Sequence, residues 1–174
     1  MQRHTFALCA LATLAVTSVL PLAGARAQSA VDPRAALALE ARATSQLDVK
    51  HDLGRAADLL VKAATLRAAT DPIGVGDLAA AASGYYLDGQ LARARAIAVQ
   101  AGERALAMGD VDGAAHAFLS AALIAHKQLD AAGRDSLSAR AYRLAASPLL
   151  SQAQQASIRA QFQRTVLVAG TETR

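Results

Sequence analysis

Three stretches of this chain echo one another closely enough to decide its fold class: HDLGRAADLLVKAA at 51–64, GQLARARAIAVQAG at 89–102 and GDVDGAAHAFLSAAL at 109–123. Aligned on their first residues, they bring together Leu53, Leu91 and Val111, then Ala56, Ala94 and Ala114, then Leu60, Ala98 and Phe118, then Ala63, Ala101 and Ala121. Successive matches lie three or four residues apart, the spacing of one face of an α-helix. Each phrase is therefore a turn, a hydrophobic residue and a helix that keeps a small residue at two fixed contact positions. Small side chains there let a neighbouring helix approach to the short end of the usual separation of about 8–10 Å. Such a chain folds by laying helices tightly side by side.

The remaining sequence agrees. Alanine supplies about a quarter of residues 28–174, and with Leu, Arg and Gln it makes a strongly helix-favouring composition. Apart from the short tail TVLVAG at 165–170, no stretch alternates apolar and polar residues as a half-buried strand does. An all-α fold is expected. Asp32 and Pro33 open a first helix as N-cap and first helical residue, and its pattern runs to Lys50. Further helices are expected over Leu53–Ala69, Asp77–Leu87, Leu91–Met108 and Asp112–Gln128. TDPIGVGD (70–77) and DAAGRDS (130–136) read as interruptions, with Asp135 or Ser136 capping a helix that ends near Ser147. A last helix starts at Ser147 and Pro148 or at Ser151, where Gln154 completes a capping box, and runs to Arg164.

The fourth helix shows what the pattern demands of the tertiary structure. Ala94, Ile97, Ala98, Ala101, Ala105 and Met108 share one side, and Leu91, Val99 and Leu106 extend the apolar surface around the next. Arg93, Gln100 and Arg104 align on the remaining strip, which reads as a solvated face. A helix apolar over more than half its circumference is sandwiched between neighbours, as in a stacked array.

Leu78, Ala81, Ala82 and Tyr85 on one helix, followed by Ala94, Ala98 and Ala101 on the next, resemble the tetratricopeptide repeat, a helix-turn-helix unit of about 34 residues. The match is best over residues 75–108. A weaker unit covers 37–70 with Ala43, Leu47, Ala56, Leu60 and Ala63. This chain departs from the family in having Ala81-Ala82 where a small residue plus glycine is usual, Leu78 at an aromatic position, and no closing proline. Its turns are also unevenly spaced, the interval from His51 to Gly89 being nearly twice that from Gly89 to Gly109. The resemblance implies antiparallel helix hairpins stacked as a short right-handed solenoid with a concave partner-binding face. The alternative is a compact alanine-rich bundle without a groove.

The amino end has the three parts of a secretory signal. Arg3 and His4 begin it, Phe6 to Leu22 form an apolar run, and Ala25-Arg26-Ala27 is a small-x-small cleavage site. Residues 1–27 are accordingly read as a signal peptide, 28–164 as the helical-repeat domain and 165–174 as a tail. Leu8 stands where a lipoprotein signal before Cys9 would need a small residue. Cleavage removes the only cysteine, so disulfides and thiolate metal sites are not expected. It also removes Arg3 and Arg26, leaving 16 of the 18 Lys and Arg against 14 acids. A net charge of +2 with few aromatics does not suit nucleic-acid binding. The expected localisation is periplasmic or secreted, with no membrane span once the signal is gone.

Candidate chemistry is sparse. His51, His116 and His126 form no i, i+4 pair, and ten residues of helix rise about 15 Å, which keeps His116 and His126 off a common ion. GVGDLA (74–79) only superficially resembles a dinucleotide loop, because no strand precedes it, and reads as a hinge between helix pairs. Ser83-Gly84 lacks the nucleophile-elbow context. No metal, cofactor or catalytic set is expected, and the protein reads as a non-enzymatic interaction module.

Tyr85 and Tyr86 point about 100° apart on a helix, so one can be core while the other faces a groove. By the resemblance, Tyr85 packs between helices and the partner surface comprises Ser45, Asp48, Ser83, Tyr86 and Glu103. The partner implied is a protein or peptide; self-association through the apolar surface is the competing reading. The basic residues that some family members use to clamp a peptide carboxylate are absent at these positions. If the signal is cleaved as read, intact-mass analysis of the protein from its native cell finds a chain beginning at Gln28; a mass retaining residues 1–27 overturns it.

Overall fold

The computed structural model describes residues 31–171. The expected signal segment and the last three residues of the tail lie outside the described residues. The described chain is all-α: α1 (Pro33–Ser45), prolonged by a π-helical turn (Gln46–Lys50), α2 (Leu53–Leu66), α3 (Pro72–Leu87), α4 (Leu91–Ala107), α5 (Val111–Lys127), α6 (Ala131–Ala145) and α7 (Gln152–Thr171). Each helix packs on the one before it and the one after it, and α7 also reaches α5. The antiparallel neighbours required by the small-residue seams are thus present from α1 to α7.

Helix starts recur at nearly even intervals, at Pro33, Leu53, Pro72, Leu91, Val111, Ala131 and Gln152. The unevenness expected between His51 and Gly89 disappears, because α3 occupies that interval and begins at Pro72 instead of Asp77. Asp71 and Pro72 repeat the signal of Asp32 and Pro33: the Asp71 side chain accepts the Ile73 N–H at 2.9 Å and proline takes the first turn. The glycines of GVGD belong to this start of the helix and not to a hinge. Gly74 is buried against the Arg104 side chain, and a Cβ there would lie 2.5 Å from its Nη2. Packing outweighs the weak helix propensity of glycine. Similarly α6 begins at Ala131 under Asp130, not under Asp135 or Ser136. One helix pair extends from Pro72 to the start of the next at Val111, a longer period than the roughly 34 residues of a tetratricopeptide unit.

Consecutive helices reverse in very few residues. At the ends of α3, α4 and α5 one residue is left-handed: Gly89 (φ 78°), Gly109 (φ 80°) and Leu129 (φ 61°). The next residue then donates its N–H back into the helix just ended, from Gln90 to Tyr85, Asp110 to Ala105 and Asp130 to Ala125, at 2.8–3.0 Å. That same residue is the N-cap of the following helix. Asp110 and Asp130 accept the N–H of Gly113 and Gly133 at 2.9 and 2.8 Å. Asp32 and Asp52 cap α1 and α2 in the same way. Ser151 and Gln154 form the expected capping box before α7, which continues past Arg164 through the residues of the TVLVAG tail.

The core is made of methyl groups. Of the 27 buried hydrophobic residues among those described, 19 are alanines, so the helices meet backbone to backbone and few large side chains need space. Ala56, Ala94, Ala114, Ala63, Ala101 and Ala121, the aligned small positions, are all buried. The main exception is Phe118, which fits only because residue 102 is glycine: a Cβ there would sit 2.8 Å from the Phe118 ring. Phe118, Leu119 and Ile158 join α5 to α7 in one cluster, and Ala57, Tyr85, Ala94 and Ala121 belong to a second that spans α2 to α5.

Ala94→Leu and Ala114→Leu therefore overpack seams and lower stability by about 1–3 kcal/mol, whereas Ala92→Leu, on the exposed side of α4, stays within about 0.5 kcal/mol of the parent. Urea unfolding of the three variants checks this; equal midpoints would mean that the helices meet through other faces.

Candidate functional site

Along the array α3, α5 and α7 lie on one side, with α4 set back between α3 and α5. The gap so formed is a cleft of about 640 Å³. Its floor is Ala98 and Ala101 of α4. One wall is α3, through Ala79, Ala82, Ser83, Tyr86 and Leu87; the other is α5, through Ala117, Ser120, Leu123 and Ile124. Gln161 and Arg164 of α7 close one end. The volume is typical of clefts that take an apolar ligand group or a few side chains.

The cleft exists because alanine occupies the floor. A longer side chain at residue 98 or 101 would rise into the space, and the seams of α4 with α3 and α5 forbid one there in any case. The polar groups on the walls are partly engaged by their own helices. Ser83 Oγ donates to the Ala79 carbonyl at 3.1 Å and Ser120 Oγ to the His116 carbonyl at 3.0 Å, so both hydroxyls present lone pairs outward. His116 meets Gln161 and thereby ties α7 to the wall. Among the described residues no carboxylate lines the cleft, and Arg164 is the one charged side chain in its lining.

Of the five residues expected to face a partner, the structure brings Ser83 and Tyr86 together in this cleft. Ser45 at the end of α1 and Asp48 in the π-helical turn lie outside its lining. Glu103 lies elsewhere on α4 and grips Arg140 of α6 with both oxygens, one bond measuring 2.8 Å. The Arg140 guanidinium in turn stacks 4.0 Å from the Phe118 ring centroid. Arg140 holds the Glu103 carboxyl below its ordinary range. Sequence reasoning misses the α5 wall and α7. Ala117, Ser120 and Ile124 fall on one helical face, a signal available in the third phrase and the residue that follows it; nothing in the sequence brings α7 to α5.

The strip of Arg93, Gln100 and Arg104 stays at least partly exposed, but both of its guanidiniums are engaged. Arg104 crosses to the carboxyl end of α2, donating to the carbonyls of Ala64 at 2.8 Å, Ala68 and Ala69. Ala68 and Ala69 belong to the linker that follows α2, so the guanidinium ties α4 to that linker and complements the dipole at the end of α2. Arg93 pairs with Asp58 of α2 and lies 4.2 Å from the Tyr85 ring centroid. The two tyrosines diverge as expected. Tyr85 is 1% exposed, and its hydroxyl donates to Asp58 at 2.6 Å, while Tyr86 turns to the cleft. The hydroxyl of Tyr85, then Arg93, pulls the Asp58 carboxyl below its usual value; burial and that same carboxylate push the phenol up to about 12.

Among the described residues, no helix is long and apolar enough to cross a membrane. Comparison with protein-family models, with curated proteins and with solved structures finds no match.

Tyr85→Phe removes the Asp58 bond and costs about 1 kcal/mol at pH 7. Because a depressed carboxyl contributes stability above its unfolded pKa and loses it as pH falls, the gap between variant and parent narrows on acidification toward about pH 3. Melting curves at neutral and acidic pH measure it; a gap independent of pH would mean that the Asp58 bond contributes nothing.

Proposed function

We propose that this protein is an exported, non-catalytic interaction module of the tetratricopeptide-like kind, working in a bacterial cell envelope, and that an apolar segment of a partner protein occupies the cleft between α3 and α5. The observation that carries this reading is the alanine-floored cleft itself, with Ser83 and Tyr86 on its wall. Its lining favours a mainly apolar occupant that brings one or two hydrogen-bond donors, since the serine hydroxyls offer acceptors. A basic segment would meet Arg164 and no carboxylate among the described lining residues. Those residues also include no acid or histidine to activate Ser83 or Ser120, which argues for binding over catalysis. The kinship rests on the small-residue seams and not on the period, which is longer than the family's.

Photo-crosslinking in the native cell maps the surface directly. A photoreactive residue at Ser83 or Tyr86 should give the same discrete adduct, and one at Ser45 or Ala92 should give none. That adduct should vanish on adding Ser120→Arg to fill the cleft, in a variant whose melting temperature matches the parent. Adducts of equal yield from all four positions, or from Ala92 alone, would refute the cleft.

Self-association is the second reading, and one feature favours it. Val49, Leu87 and Leu129 are 73%, 67% and 88% exposed. Each stands at the carboxyl end of an odd-numbered helix, so alternation of the helices places all three on one edge. Light scattering decides: a mass that stays monomeric across a wide range of concentration removes this reading.

A further inference from the structure

The densest charged cluster among the described residues shares no residue with the cleft lining and has no part in the proposed function. Arg67, in the linker between α2 and α3, is only 4% exposed in its side chain, yet three carboxyl groups converge on it. Its Nε donates to Glu40 of α1 at 2.9 Å and its Nη1 to Asp71, the cap of α3, at 3.0 Å; Nη2 also bonds Glu40. Asp77 of α3 approaches Nε at 3.3 Å, but that N–H already serves Glu40. The buried Asp77 Oδ2 accepts no hydrogen bond. Arg104 of α4, seated on the linker carbonyls, is a second cation facing the cluster. With all of these groups ionised, two guanidiniums face three carboxylates. One proton on Asp77 makes the cluster neutral and lets its carboxyl bond that of Glu40.

We propose that the Glu40–Asp77 pair clasped by Arg67 is a proton-operated latch: with Asp77 protonated it holds α1 against the array, and with Asp77 ionised it loosens α1 and bares the α2 face beneath. α1 is suited to such control because little else holds it. Its one extensive contact with another α-helix is with α2, and its fully buried residues are two alanines, Ala36 and Ala43, helped by the half-buried Leu39 and by Leu47 of the π-helical turn. One backbone bond, from Asp32 to the Leu66 carbonyl at 2.8 Å, fastens its start. Release uncovers Ala56, Leu59 and Leu60.

Burial, followed by the Glu40 charge, raises Asp77 from 3.8 to about 6, against the pull of Arg67. Loosening α1 withdraws the Glu40 charge and lessens the burial. Between those two values the docked state binds the extra proton, so docking weakens as pH rises through that window and is weakest above it.

Hydrogen exchange by mass spectrometry tests the latch on the purified chain at about pH 5 and about pH 7.5, each rate corrected for the intrinsic pH dependence. Peptides of α1 should exchange about tenfold faster at the higher pH, following from a carboxyl moved by about two units. Peptides of α5 should not change. Asp77→Asn should abolish the difference, whereas Glu40→Gln, which removes the neighbouring charge but not the burial, should reduce it and provides a reading if the first variant does not fold. A pH response absent from the parent, shared by α5, retained by a folded Asp77→Asn variant or undiminished in a folded Glu40→Gln variant would overturn the proposal.

Discussion

Everything in this protein depends on how closely two helices can approach when alanine lines the contact. A methyl group fills little space, so dispersion is gained by bringing backbones together instead of by interlocking long side chains. That works only if the small residues recur at matched positions on every helix, as Ala56, Ala94 and Ala114 do. It also tolerates little enlargement, because no slack exists into which an extra branch could move. Where one large ring does enter, at Phe118, its partner position had to give up even its methyl group.

The same economy explains where the charges went. A seam of alanines buries modest apolar area per helix, so helix ends and linkers carry a larger share of the organisation. Asp32, Asp52, Asp71, Asp110 and Asp130 all cap helix starts. Arg104 closes the end of α2, Arg93 and Tyr85 join α3 and α4 to Asp58, and Arg140 bonds α6 to α4. These side chains look like a polar surface along the sequence, yet in the fold most of them hold one helix to another. With the charged groups engaged in this way, the cleft between α3 and α5 is left apolar. The cleft lining and the acid cluster around Arg67 share no residue.

The two ends of the array differ in a way that follows from packing. At the carboxyl end α7 returns to touch α5 as well as α6, locked by Ile158 and by the His116–Gln161 contact. At the amino end α1 has one extensive helix contact and a clasp of ionisable groups. A helix held on one side by two alanines and a shared guanidinium is the element most open to displacement, whereas α5, apolar nearly all round, is the least.

Much of this is legible in the residues themselves. Intervals of three and four, Asp-Pro pairs, glycines at turns and the S-x-x-Q box are local signals, because helix geometry and capping involve only neighbours in sequence. They yield the all-α class, most helix limits, the seams, and the divergence of Tyr85 from Tyr86. Two helices start earlier than those signals suggest, where glycines at 74 and 133 weaken the propensity and long-range packing restores the helix. The cleft is only half visible. Ser83 and Tyr86 share a helix face and can be named, but Glu103 belongs to a different surface, and Ser120, Gln161 and Arg164 enter from helices whose positions the sequence does not encode locally. The reach of Arg104 to α2 and the convergence of Glu40, Asp71 and Asp77 on Arg67 likewise join residues far apart along the chain. Periodicity tells which side of a helix is buried; which helix it is buried against, and which charges meet across the gap, is decided only when the whole array closes.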